Sequence, residues 1–263
     1  MLKTKHIKLT TNEMASALAL CGYDQIASQM INEQKLIQRK SEFERFIEQA
    51  EFGLKRKGYW DDLTKSKLSK GLEDLLHLLI QSINKVRCIN IKNRQVLMIH
   101  SLNDKTSLIQ QVKGKEHRFT FHEKEVGYHE ILANHFEVEI TNKTVNQQYQ
   151  TIEMDEDVFN EFHHMERNTL RKMIEDQQFA PTLREFLRAF VDNNQEFNNV
   201  GFMYSEYVKD TSEFEQIIFF VPGDDVIWHL DYEMVNKNKL FIHPVQVNAY
   251  LTTINEEFIH FLE

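Results

Sequence analysis

The side chains best suited to chemistry in this sequence are a few histidines and acids. In Phe162-His163-His164-Met165-Glu166, His163 and Glu166 stand three apart, a spacing that brings both to one side of a helix. Such a pair is half of a metal site, which needs three or four converging ligands. No other segment supplies the remainder, so the pair reads as a solvated helix face and no metal is expected. His122 and His243 close two similar strands, where a histidine caps a chain end or faces water. Asp224-Asp225 and the acids of 153–157 could do acid–base work if buried and close. Each group falls in a turn or at a helix start, where acids are solvated or complement the helix dipole. Cys21 and Cys88 are the only cysteines. They form neither a zinc spacing nor a disulfide framework, and read as buried, reduced thiols.

Catalytic signatures are missing. There is no G-x-x-x-x-G-K-[ST] or G-x-G-x-x-G loop, no G-x-S-x-G elbow and no H-E-x-x-H pair. Neither a catalytic residue nor a cofactor is expected. An enzyme assembled from scattered residues is the weaker alternative, since such sites are set by geometry rather than motif. Among 263 residues, Lys and Arg number 31 and Asp and Glu 40, a net charge of −9. That balance lacks the field that draws a protein to nucleic acid or an anionic membrane, so neither is an expected partner. The start MLKTKHIKLTTNEM has no apolar signal region. No apolar run approaches the roughly 18 residues of a membrane span. The expected location is the cytoplasm.

Periodicity supplies the elements that would position these groups. Thr10 or Thr11 opens a helix with Glu13 as a capping-box acid, and a short second helix follows Gly22. Phe43, Phe46, Ile47, Ala50 and Leu54 recur at helical spacing up to Gly58. Tyr59-Trp60 follow and pack into the core. Leu68, Leu72, Leu75, Leu76, Leu79 and Ile83 make a third stripe. The period then changes to four strands: 85–91, the apolar run 95–102, 106–112 and 117–122. A helix carries Tyr128, Ile131, Leu132, His135 and Phe136. Polar residues 141–151 make the best linker. Beyond it, one helix runs from Phe159 through Met173, and Pro181 starts another. Strands return at 202–208, 216–221, 226–232 and 240–243, before a last helix with Val247, Tyr250, Leu251, Ile254 and Phe258.

The order helices, four strands, helix occurs twice. His122 and His243 are 121 positions apart, as are Asp104 and Asp225, and Val126 and Val247. The expected fold class is therefore α+β, in two similar units spanning 1–143 and 144–263. Each has helices, a four-stranded antiparallel meander and a C-terminal helix, and a pseudo-twofold axis relates them. Joining the units would bury their sheets against helices and against each other.

Several segments together resemble a known family. They are Leu9-Thr10-Thr11-Asn12-Glu13-Met14 leading to Gly22, then Gly53-Leu54-Lys55-Arg56-Lys57-Gly58-Tyr59-Trp60 before a Leu-rich helix. A meander follows that turns at Asn103-Asp104 and ends in Phe119-Thr120-Phe121-His122. This layout resembles the EspG family of cytosolic type VII secretion chaperones, and within it the Firmicutes, EsaE-like branch. The likeness lies in the order of elements over nearly the whole chain rather than in a short motif. It implies a protein that grips the end of a helical secreted substrate and keeps it soluble and export-competent, with the secretion ATPase as a further partner. It implies no catalysis.

The alternative is an immunity protein that neutralises a toxin, for which acidic charge would suit a basic target. The family likeness points to a hairpin loop plus helices of the second half as the binding surface. Here that is Asn103, Asp104 and Lys105, with Phe159, Phe162 and Met165 on the helix, a polar rim beside an apolar face.

Overall fold

The computed structural model describes residues 6–37, 39–140, 149–232 and 238–263. The expected linker at 141–151, and with it the boundary between 143 and 144, lies largely outside the described residues.

The chain opens with β1 (Ile7–Thr10) and α1 (Thr11–Leu20). Thr10 caps α1: its hydroxyl accepts from the Glu13 amide, and the Glu13 carboxylate accepts from the Thr10 amide at 2.6 Å. This is the expected capping box, which satisfies two otherwise orphaned donors. Next come α2 (Asp24–Glu33), α3 (Phe43–Arg56) and α4 (Lys70–Gln81). Gly58, at φ +73°, turns the chain out of α3, a conformation glycine adopts without steric cost. Four strands follow: β2 (Asn84–Asn90), β3 (Gln95–Ser101), β4 (Thr106–Lys113) and β5 (Glu116–Glu123). Val126 does not open a helix as expected. It ends a 3-10 turn, and α5 is His129–Phe136.

The second half begins with β6 (Ile152–Asp155), a strand absent from the sequence reading. The expected helix from Phe159 through Met173 is two helices, α6 (Glu156–His164) and α7 (Arg167–Glu175). Met165 and Glu166 between them are extended. Then come α8 (Pro181–Asp192), β7 (Asn198–Glu206), β8 (Thr211–Pro222), β9 (Val226–Asp231), β10 (Lys239–Gln246) and α9 (Val247–Leu262).

The described strands form one antiparallel sheet in the order β1-β5-β4-β3-β2-β7-β8-β9-β10-β6. This corrects the expectation that two sheets pack on each other. The halves join edge to edge, with β2 and β7 paired so that Cys88 stands opposite Val200. Pairing them removes two exposed strand edges at once.

Alternation along the strands assigns the cores to faces. On β4, Ile109 joins one core and its neighbour Leu108 another; on β9, Ile227 and Trp228 divide the same way. One face carries the central core, with Val86, Cys88, Val200 and Phe220 under α5 and α9. Both halves contribute to that core, so neither half holds it alone. The other face carries two terminal cores. Helices α1 and α4 cover Leu9, Leu108 and Phe119 at one end. Helices α6, α7 and α8 cover Trp228, Leu240 and Ile242 at the other.

The carbonyls that end α9 find partners in the first half. Asn84 donates to Phe261 O at 3.1 Å, Ser101 to Leu262 O at 2.7 Å, and the Lys124 ammonium also to Leu262 O. Side chains there satisfy orphaned acceptors, and a cation complements the negative helix end.

Candidate functional site

Beside the first-half helix layer, α2 and the β7–β8 connection flank a groove of about 520 Å³ over the sheet. Its walls come from both halves: Ile26 and Met30 of α2, Arg87 of β2, His117 of β5, and Met203 and Tyr207 from β7 and the turn after it.

Arg87 is placed by the central pairing. It stands opposite Gly201 on β7, and Gly201 stands opposite Ile217 on β8. A Cβ at Gly201 would come within 2.6 Å of the Phe214 ring. The missing side chain thus lets that ring lie on the strand. The Arg87 guanidinium in turn lies over the Phe214 ring, 4.7 Å from its centroid. Among the described residues the Arg87 side chain has no hydrogen bond or ion pair, and its Nε is buried and unpartnered. Burial lowers its pKa, yet a guanidinium stays charged in proteins.

Below the groove lies a second, sealed cation. Lys85 is fully buried and donates to Ser82 O and Ser205 O, each at 2.5 Å. Its ammonium sits 4.2 Å from the Tyr207 ring centroid. Burial pulls its pKa down to about 8, because desolvation disfavours the charged form. Opposite Lys85 on β3 is His100. A buried polar chain runs from it: His100 Nε2 to Gln110 at 3.1 Å, Gln110 to His117 Nδ1 at 2.9 Å, and His117 Nε2 to Thr11 at 3.2 Å. Burial pushes the His100 pKa down to about 3. An imidazole that weakly basic is a poor proton acceptor at neutral pH. The chain therefore satisfies buried polar groups and fixes register.

The residues singled out from sequence fall elsewhere. Asn103, Asp104 and Lys105 are the exposed turn between β3 and β4. The Asn103 side chain accepts from the amides of Lys105 and Thr106 at 2.9 and 3.0 Å, so it holds the turn. Phe159 and Phe162 are 4% and 6% exposed and belong to the α6–α8 core. Met165 packs against the same core. This removes both phenylalanines from any accessible surface: the apolar side of α6 is spent on its own layer. Nor do the two groups meet. Helix α6 packs on β6 and β10, and β10 lies five strands from β3, roughly 24 Å across the sheet. The second-half helix linked to the loop is α9, through Lys124. Lys124, whose Nζ holds its last turn, donates its amide to Lys105 O at 2.8 Å.

His163 is no solvated partner of Glu166. It packs edge-on against Phe159 and Phe190, and its Nδ1 meets Gln195 O at 3.0 Å. Because α6 ends at His164, Glu166 lies beyond the helix as the exposed N-cap of α7. His122 bonds Gly127 O at 2.8 Å, and His243 bonds Thr151 at 3.1 Å. Asp224 and Asp225 are exposed in the β8–β9 turn. Of the acids in 153–157, Glu153 and Asp155 lie on β6 rather than in a turn, and Glu153 pairs with Lys239. Among the described residues no three His, Cys, Asp or Glu side chains converge on a metal position. No helix among them is long and apolar enough to cross a membrane. Burial pushes the Cys21 thiol up to about 11 and the Cys88 thiol higher, leaving both protonated.

Arg87, Phe214 and the His100 chain were not singled out from sequence. Lys85 and Arg87 alternate with Val86 and Cys88, which reads as a solvent-facing side. The available signal was Gly201 inside a strand, which marks a close approach.

No protein-family model matches this sequence, and no curated protein matches it. A solved structure does. The fold is similar to that of the Mycobacterium tuberculosis type VII secretion system chaperone EspG5, determined in complex with a PE25–PPE41 dimer. The TM-score is 0.54 over 98% of this chain and 95% of that one, at 7% sequence identity. At that identity the likeness is one of fold, an α+β arrangement of helices on an antiparallel sheet.

Proposed function

We propose that this chain is an EspG-like chaperone of a type VII secretion pathway. It acts by binding rather than by catalysis, and it holds a helical secreted protein soluble in the cytoplasm until export. The observation that carries this reading is the fold likeness over nearly the full length of both chains. Helical secreted proteins expose apolar tips that aggregate unless covered. A groove with apolar walls and a polar rim suits such a tip. The groove walled by Ile26, Met30 and Met203 is one part of the surface, and the 103–105 turn beside α9 is a second. The Lys-, Ile- and Asn-rich composition supports the Firmicutes, EsaE-like branch.

The duplication belongs to the same proposal. Residues 1–143 and 144–263 are two units about a pseudo-twofold axis. The strand order supports this, because it places β1, β5, β4, β3 and β2 against β6, β10, β9, β8 and β7 about the central pair. His122 and His243 then occupy corresponding strands, second from either edge.

The test is affinity capture of the tagged chain from its native host, with cross-linking and mass spectrometry. The expected result is a small helical secreted protein, recovered with the chaperone in a stoichiometric complex, with the secretion ATPase as a weaker companion. Recovery of a toxin enzyme alone would transfer the chain to the immunity class. Turnover of a small molecule by the purified chain would make it an enzyme.

A further inference from the structure

The groove holds a charge that the fold leaves uncompensated. The Arg87 guanidinium lies on the Phe214 ring and makes no ion pair or hydrogen bond among the described residues. Its pKa is lowered by burial, and no carboxylate contributes to the shift. The carboxylates that share the groove are engaged with another side chain. Glu33 and Asp210 are both exposed, and the Gln29 amide donates to them at 3.1 and 3.2 Å. Of the other titratable wall residues, burial holds His117 towards its neutral form and raises the Tyr207 phenol, so neither supplies a negative charge.

The placement is built rather than incidental. Gly201 clears the strand for Phe214, Phe214 supports the guanidinium, and the β2–β7 pairing sets Arg87 against Gly201. A cation that is half-buried and unpaired costs free energy unless a ligand supplies the counter-charge. A planar guanidinium fixed on an aromatic face is preorganised for a carboxylate, which it grips through two parallel N–H bonds.

We propose that the groove is an acid-reading subsite: Arg87 receives one Asp or Glu side chain of the partner polypeptide. The residues flanking that acid pack on Ile26, Met30 and Met203. A chain of net charge −9 repels acidic partners in general. A single inward cation then sets the register at which one acid is accepted. The inference deepens the chaperone reading and rests on it for the identity of the partner. The carboxylate site itself is tested without that partner.

The probe is N-acetylglutamate α-amide, whose one charge is the side-chain carboxylate, with its glutamine twin as the control. Backbone amide signals of Arg87, Met203 and Ser205 are followed by NMR at constant ionic strength. Saturable shifts are expected with the glutamate probe and none with the twin. Arg87→Gln is expected to weaken the probe by about tenfold, the worth of one charge-assisted pair. Arg87→Lys, which keeps the charge and loses the fork, should weaken it less. Equal shifts with both probes, or unchanged binding by folded Arg87→Gln, would overturn the proposal. Binding of inorganic phosphate where the glutamate probe does not bind would overturn it too. Should Arg87→Gln not fold, Phe214→Leu removes the platform and keeps the cation. Weakened probe binding by that variant supports the site, and unchanged binding overturns it. A partner capture that fails while the probe still binds Arg87 would sink the chaperone reading and leave the subsite standing.

Discussion

On one face of the sheet α5 and α9 lie over the central strands. On the other, the helices sit at the two ends, and Arg87, Met203 and Tyr207 line a groove beside α2. The covered face is built from rings and aliphatic chains of both halves: Phe258 of α9 meets Tyr128 and Phe202, each with ring centroids 5.6 Å apart. The open face is floored by Lys85, Arg87, His100 and His117. The same strands supply both, since alternate residues of β2 point to opposite sides. The difference teaches a division of labour: one face joins the halves, and the other is left able to take a ligand.

The largest expected effect is on the joining face. Phe258→Ala should cost about 3–5 kcal/mol of unfolding free energy, the usual price of removing a buried aromatic ring. Urea denaturation followed by far-UV dichroism measures it. A loss below about 1 kcal/mol would mean that the halves hold without this core.

Next is the pH dependence of the polar floor. His100 has its folded-state pKa lowered to about 3, and His135, a residue of α5 over the other face, has its own lowered to about 4. The unfolded chain therefore binds more protons between those values and about 6.5, and stability rises with pH through that window. Acidification from pH 7 to 4 should remove on the order of 2–3 kcal/mol through His100 alone. Lys85 carries the same sign in a higher window, so stability should also rise from about pH 8 towards the ordinary lysine value. Equal urea midpoints at pH 7 and pH 4 would show that these histidines take up protons freely.

Gly201→Ala sharpens the comparison at one residue. The added methyl meets the Phe214 ring on the groove side. The expected loss is about 1–3 kcal/mol, as for other overpacked sites. Removing the ring at the same time, in Gly201→Ala with Phe214→Ala, should return part of that loss. If the double variant is additive, the close approach does not set the strain.

Thr10→Ala, at the cap of a terminal helix, should cost about 1 kcal/mol, read as a fall in thermal midpoint. The smallest stability effect belongs to Asp104→Lys, in an exposed turn, within about 0.5 kcal/mol of zero. Its value lies in capture. Loss of partner binding at unchanged stability would place part of the contact beside α9. Normal capture would leave the groove as the surface in use.

Much of the local structure was legible before folding was considered. The Thr10 cap, the leucine stripe of α4, the apolar run of β3 and the Pro181 helix start each depend on neighbours within a few residues. The failures share a cause. The α6–α7 break at Met165-Glu166 carries neither glycine nor proline, and strands β1 and β6 have four residues each, too short for a period to show. The α3 stripe held five apolar positions, yet Phe43 and Ile47 are 48% and 43% exposed. Periodicity gives the side of a helix but not how much of it a neighbour will cover. That Phe159 and Phe162 are core residues was hidden for a related reason: they satisfy the pattern of a buried face and of a docking face equally well.

What the sequence determined by itself is the eight strands β2–β5 and β7–β10 and most of the helices, the absence of motif-borne chemistry, and the net acidic charge. These follow from spacing, composition and caps, all of which are local. Tertiary structure decided that β2 meets β7, so that the sheet is single and continuous. It decided that α9 is capped by Asn84, Ser101 and Lys124 from the other half, and that Arg87 comes to rest on Phe214. Each of these joins residues more than a hundred positions apart, where no periodicity reaches. Strand edges and helix ends bond to any partner of the right geometry. Only the burial of the common core selects which one they meet.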